Sequence, residues 1–292
     1  TRYIGDWSSD VCSSDLSIDF THNNEDLFFG INATAFETLK EDYEDKYEYI
    51  LPEAFLSKTL IKNNLGNLDL ETNLKIHNYD TNKETKFFVN DFIWSSKKIY
   101  SDLGLSSQLL SNIKNINYEA NNIDIYKKDV TNELHGALGL LSELRLQKNI
   151  DNSIHTLIPK ILLRYAPGDM RKENDGSRLD PVRAFSMNKV NNINNFEKGS
   201  SSTLGFDYKI KNNNKEFDFS VAQVISEKEN KKMSSKSSLD EKISDLVASM
   251  NYKLNDNVSL KYDFAIDQNY NEFNYNDLGL TYNFNNMKID FN

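Results

Sequence analysis

The sequence is poor in the residues that most often announce a chemistry. Its one cysteine, Cys12, cannot close an intrachain disulfide. Four histidines, His22, His77, His135 and His155, are scattered, with no H-x-x-x-H spacing and no cysteine partner, so no metal site is expected. No G-x-S-x-G, P-loop or dinucleotide fingerprint occurs, so no catalytic residue, enzyme activity or cofactor is expected. No apolar run approaches the roughly 18 residues of a membrane-crossing helix. Basic charge is in deficit: 34 Lys and Arg face 44 Asp and Glu, a formal net charge of −10, which argues against nucleic acid as a main partner. Only four prolines occur, and with many asparagines they fit a turn-rich β chain.

What is present is a period of two. Across 246–266 nearly every even residue is apolar: Leu246, Ala248, Met250, Tyr252 and Leu254, then Val258, Leu260, Tyr262, Phe264 and Ile266. Ser249, Asn251, Lys253, Ser259, Lys261 and Asp263 alternate with them. Successive Cβ atoms of a strand point to opposite faces, so this is a hairpin with one apolar and one polar side. Its turn is Asn255-Asp256-Asn257. Leu278, Leu280, Tyr282 and Phe284 repeat the pattern, and after Asn285-Asn286 so do Met287, Ile289 and Phe291. Upstream, Leu204 to Ile210 and Phe217 to Val221 alternate likewise about the 212–214 turn.

The connections alternate in length. Tight turns at 212–214, 255–257 and 285–286 are interleaved with long polar segments at 226–239 and 268–276. Outer-membrane barrels have short turns at one rim and long loops at the other, and strands of about ten residues. A soluble β-sandwich also alternates but has no such rule for its loops. The 15 Tyr and 17 Phe suit interfacial girdles. A mean hydropathy of −0.63 excludes a helical membrane protein only, because a barrel keeps a wet lumen and wet loops.

Residues 1–16 (TRYIGDWSSDVCSSDL) resemble a translated sequencing adaptor and lack the apolar stretch of a signal peptide, so they are set aside as non-native and not a strand. The remaining 17–292 reads as one domain of about twelve to fourteen strands, without interdomain linkers. Residues 27–38, 68–76, 87–94, 100–110 and 156–165 are predicted strands. Pro52 predicts a strand start or bulge, 138–146 a strand or short helix, and 183–190 a short strand. Asn174-Asp175-Gly176 reads as a turn rather than a calcium loop. The lysines at 228–236 read as a solvated loop, with lipid phosphates the less favoured partner. Asp180, Arg183 and Glu197 are expected to form a charge network.

Several segments, in order, resemble the barrel domain of the LPS-assembly protein LptD (organic solvent tolerance) family: 49–53 (YILPE), 68–78 (LDLETNLKIHN), 157–167 (LIPKILLRYAP), 178–189 (RLDPVRAFSMNK), 197–208 (EKGSSSTLGFDY) and 217–225 (FDFSVAQVI). The resemblance implies an antiparallel transmembrane outer-membrane β-barrel, here an internal fragment of a larger one, whose gate strands and N-terminal periplasmic domain are missing. It implies lipopolysaccharide as cargo, an LptE-like plug lipoprotein, an LptA-like periplasmic bridge and outer-membrane lipid as partners. From the pattern, Lys209, Asp218, Lys253, Lys261 and Asp263 are expected to face the lumen, and Leu260, Tyr262 and Phe264 the lipid. A porin-like channel or receptor barrel and a soluble sandwich remain alternatives.

Overall fold

A computed structural model describes residues 13–38, 47–79, 82–173, 176–190, 192–212, 215–284 and 287–291. The strands are β1 (Ser13–Asn24), β2 (Leu27–Thr38), β3 (Tyr47–Asn63), β4 (Gly66–Tyr79), β5 (Lys83–Ser96), β6 (Ile99–Tyr100), β7 (Leu105–Asn121) and β8 (Thr131–Leu144). There follow β9 (Leu146–Ile150), β10 (Ser153–Ala166), β11 (Gly199–Asn212), β12 (Lys215–Ser226), β13 (Leu246–Lys253), β14 (Val258–Ile266), β15 (Phe273–Phe284) and β16 (Met287–Phe291). The described helices are one turn, α1 (Pro181–Ala184), and a 3₁₀ turn at Ser235–Ser237. Sequential strands pair antiparallel, with β6 a flap on β7 and β9 a flap on β10. The all-β antiparallel class is as expected, and the sixteen strands exceed the expected count because β1, β6 and β9 were not foreseen.

The chain gathers into two compact units, one holding residues up to Trp94 with Ile113–His135, the other Ser95–Asn112 with Gly136 onward. In the first, β1 pairs with β2 from Ser13↔Thr38 to Asn24↔Leu27. Ser13 to Leu16 are therefore strand, which corrects the expectation for that part of 1–16; residues 1–12 lie outside the described residues. The reason is legible: Leu16, Ile18 and Phe20 alternate with Ser17, Asp19 and Thr21, so the period of two runs back through Leu16. Pro52 lies in a register shift between Ile50 and Glu53, the bulge its missing N–H predicts. On β5 and β7, Phe87, Val89, Ile116 and Tyr118 are buried, whereas Phe88 and Phe92 on the alternate parity are exposed. The ring of Tyr126 packs on Phe87 (centroids 5.1 Å) and Tyr118 (5.5 Å).

In the second unit the rims differ as the sequence suggests. Connections 213–214, 254–257 and 285–286 are tight, and 167–198 and 227–245 are long. Asn255 Oδ1 accepts from the amides of Asn257 and Val258 (both 2.9 Å), closing its turn. The connection after β14 is shorter than the expected 268–276. The Asp267 carboxylate accepts from the amides of Asn269 (3.1 Å), Asn271 (2.7 Å) and Glu272 (2.9 Å), which compacts the turn and lets β15 begin at Phe273. The strand reading of 138–146 holds over its helical alternative, with Leu140 opposite Leu163. Residues 183–190 are not a strand. Asp180 accepts from the Arg183 amide (2.8 Å) and Pro181 follows, a helix start that gives α1 and then coil.

Candidate functional site

Register sorts the second unit into two faces. On one, Lys209 lies opposite Asp218, which leads across β13 and β14 to Asn251, Lys261 and Gly279. The adjacent row is Asp207, Ser220, Ser249, Asp263 and Asp277. Nearer the long loops comes a row of mostly small residues: Lys160, Gly205, Ala222, Val247, Ala265 and Tyr275. Lys253, opposite Glu216 and Ser259, shares this face. The opposite face carries Phe206, Tyr208, Phe219, Met250, Leu260, Tyr262, Phe264, Leu278 and Leu280. So the five polar residues singled out from the sequence share one side and the three apolar ones the other.

The short-turn half of the polar face is a lattice of exposed ion pairs. Lys209 reaches Asp218 at 3.2 Å and Lys261 reaches Asp263 at 2.6 Å. Lys253 turns instead to Asp256 of its own hairpin turn, at 2.8 Å. Further toward the long loops, Lys160 binds Asp207 (2.8 Å), and Ser220 Oγ donates to the same carboxylate (2.8 Å). Exposed pairs like those of Lys209 and Lys261 contribute about 0–1 kcal/mol. They keep a surface wet more than they hold a fold.

The long-loop half is covered. Met170, Leu179, Ala184, Val190, Met233 and Leu239, from α1 and the two long connections, are buried against Ala222, Val224, Val247 and Ala265. Gly205 lets the β12 backbone come close, since a Cβ there would collide with the Val221 carbonyl oxygen, and it also lies under this layer, where that Cβ would be 3.1 Å from the Phe185 ring. Lys160 Nζ sits 4.6 Å from that ring's centroid, and buried Thr203 Oγ1 donates to the Ala184 carbonyl (2.8 Å). The two long connections are joined to each other: the Glu173 amide donates to the Lys232 carbonyl (2.7 Å), and Lys232 Nζ binds Asp169 (2.5 Å). Lys231 binds Glu241 (2.8 Å), so two of the lysines at 228–236 are committed to the loops' own carboxylates.

Beneath this layer lies a buried charge cluster that the sequence reading places only in part. The Glu197 carboxylate pairs with Lys189 Nζ (3.2 Å) and Arg164 (3.5 Å) and accepts from the Lys189 amide (3.0 Å). Arg164 also donates to the carbonyls of Glu197 (2.5 Å) and Met187 (2.6 Å). Asp180 and Arg183, expected to join Glu197, pair with each other at 3.8 Å at the start of α1. The expected network is thus two separate sets, because the helix cap claims Asp180. Burial by itself would raise Glu197, but Arg164 and Lys189 outweigh it and hold the carboxyl below its usual range. Burial pushes Lys189 below the usual ammonium range despite Glu197. Arg164 and Lys189 were missed; the signal was a second cation, Arg164 besides Lys160, inside a largely apolar segment (157–167). In the first unit a comparable buried pair joins Lys114 to Asp91 at 2.9 Å.

Among the described residues no helix is long and apolar enough to cross a membrane, and no group of three or more His, Cys, Asp or Glu is placed to hold a metal ion. No curated protein matches the chain. A family model described as LptD, LPS transport system D, matches residues 13–291, and its match takes in all sixteen strands. A sheet of antiparallel strands with one apolar and one polar face, spanned by that match, has one reading: the chain belongs to the LptD family.

Proposed function

We propose that the chain forms part of the wall of an outer-membrane barrel that assembles lipopolysaccharide into the outer leaflet. Family membership supports this reading over a porin or a soluble sandwich. The observation that carries the placement is the asymmetry of the faces. The layer in the second unit sits on the polar face, while Leu138, Leu163, Leu204 and Leu278 on the other remain exposed. On this reading Leu260, Tyr262 and Phe264 meet lipid, and Lys209, Asp218, Lys253, Lys261 and Asp263 line a wet passage for a sugar headgroup, which moves passively. The barrel portion, expected at residues 17–292, takes in β1 from Ser13 as well, in the cell outer membrane. Its partners are lipopolysaccharide, an LptE-like plug lipoprotein and an LptA-like bridge that acts through an N-terminal domain. The test is Leu260→Arg in the cell, scored by folded barrel in the outer membrane and by surface lipopolysaccharide. A loss of about 2–4 kcal/mol of assembly stability is expected. Normal assembly and surface delivery would remove the lipid-facing assignment.

A further inference from the structure

The apolar face of the second unit changes character toward its tight turns. Cross-strand pairing orders its residues in rows. One row runs Leu157, Tyr208, Phe219 and Met250. The next, nearer the turns, runs Lys148, His155, Ile210, Phe217 and Tyr252. At the rim Ile150 lies opposite Ser153, and Asn212 opposite Lys215. His155 Nδ1 and the Tyr208 hydroxyl are 2.7 Å apart, and Phe217 meets Tyr208 and Tyr252 edge to face (centroids 6.4 and 6.3 Å). A groove of about 350 Å³ opens here, lined by Ile210, Phe217 and Tyr252 together with Ser153, Lys215 and Glu216.

The charges at this rim are sorted by parity. Glu216 lies opposite Lys211 and Lys253, on the polar face, and Lys211 binds it at 2.9 Å. Lys148 and Lys215 take the apolar side, where none of the residues in these rows is acidic. Among the described residues no carboxylate comes within 4.0 Å of either ammonium. Asp151, in the turn between β9 and β10, is exposed. Lys148, Lys211 and Lys215 thus stand against Asp151 and an already bound Glu216. An exposed lysine is ordinarily just solvated. These two stand at the edge of an aromatic belt, where rings sit at headgroup depth and lysine stems lie along apolar surface. A phospholipid supplies both halves, acyl chains for the rings and a phosphate for the ammonium. The rows offer no carboxylate to a headgroup ammonium, so a net-negative headgroup suits them better than a zwitterionic one.

We propose that this groove holds an anionic phospholipid of the leaflet that meets the tight turns. Lys215 and the Ser153 hydroxyl take its phosphate, Lys148 attracts it from the neighbouring row, and Phe217 and Tyr252 pack on its glycerol and first acyl carbons. The inference rests on the barrel reading given above. For the test, the full chain is inserted into vesicles of equal phosphatidylglycerol and phosphatidylcholine, extracted in mild detergent, and weighed by native mass spectrometry. A single retained phosphatidylglycerol is expected, favoured over phosphatidylcholine by about fivefold or more, the attraction of one lysine near an anionic lipid. Lys215→Gln should lower that preference about fivefold and Lys148→Gln by less, whereas Lys215→Arg should keep it. Lys231→Gln makes the same charge change at the other rim, on a lysine held by Glu241, and should keep it too. Equal retention of both lipids by the inserted native chain overturns this site and leaves the barrel reading standing, as does a preference undiminished in Lys215→Gln. A chain that stays in the aqueous fraction, outside every vesicle, overturns both.

Discussion

The two ends of one sheet face in the second unit differ more than its two faces do. Toward the tight turns, β11 to β14 present Lys209, Asp218, Asn251 and Lys261, with Lys209 and Lys261 paired in water. A few residues along the same strands, with the same parity, they present Gly205, Ala222, Val247 and Ala265, and side chains from the long connections pack there. Strand parity therefore fixes which side a residue takes but not whether that side is wet. Side-chain size bears on it, because Gly205, Ala222, Val247 and Ala265 leave space in which a second layer packs.

Five substitutions test that contrast, taken from the largest expected effect to the smallest, with Lys261→Gln paired to Tyr262→Arg. Glu197→Gln leaves Arg164 and Lys189 buried without their shared carboxylate and should cost about 3–5 kcal/mol in denaturant unfolding, with new protease cleavage within 167–198. Acid should act at the same place. The folded carboxyl is held below its unfolded value of about 4.3, so its contribution is complete above that pH and is lost as pH falls through the folded value. Cleavage within 167–198 should therefore appear on acidification earlier than cleavage near the 255–257 turn. Next, Tyr262→Arg should reduce barrel assembly by about 2–4 kcal/mol if its face meets lipid, whereas Lys261→Gln beside it should be close to neutral; equal losses would erase the distinction between faces. Third, Ala222→Leu overfills the seat beneath α1 and should cost about 1–3 kcal/mol, measured by thermal unfolding in detergent. Last, Lys209→Ala at the wet end should cost about 0–1 kcal/mol, and less as salt is raised. A larger penalty at Lys209 than at Ala222 would reverse the contrast.

Much of this was legible. The alternation across 246–266 places Leu260 and Lys261 on opposite faces, and Asn255 closes the turn its residue type suggests. Pro52 produces its bulge for want of an N–H. What escaped were features that depend on residues distant in the chain. Phe185, Met187 and Lys189 also alternate, but they lie in coil, and Phe185 packs across β11. The Asp180-Pro181 step upstream is a helix-start signal that outranks so short an alternation. The partners of Glu197 could not be read from spacing, because Glu197 lies in the 167–198 connection and Arg164 reaches it from β10. Ser13 to Leu16 were set aside on resemblance, although the repeat beginning at Leu16 extends the strand.

The covering layer draws on two segments held apart by β11 and β12, and the Glu173–Lys232 bond joins them only when both are in place. Among the described residues neither has a strand of its own to set its path, so the entropy of ordering each is recovered only after β10 to β13 have paired and offered a seat. This layer is therefore the last part of the unit to set. Until it does, Gly205 and Ala222 stand bare, and the chain passes through a stage at which its future interior is open to a protease or a chaperone.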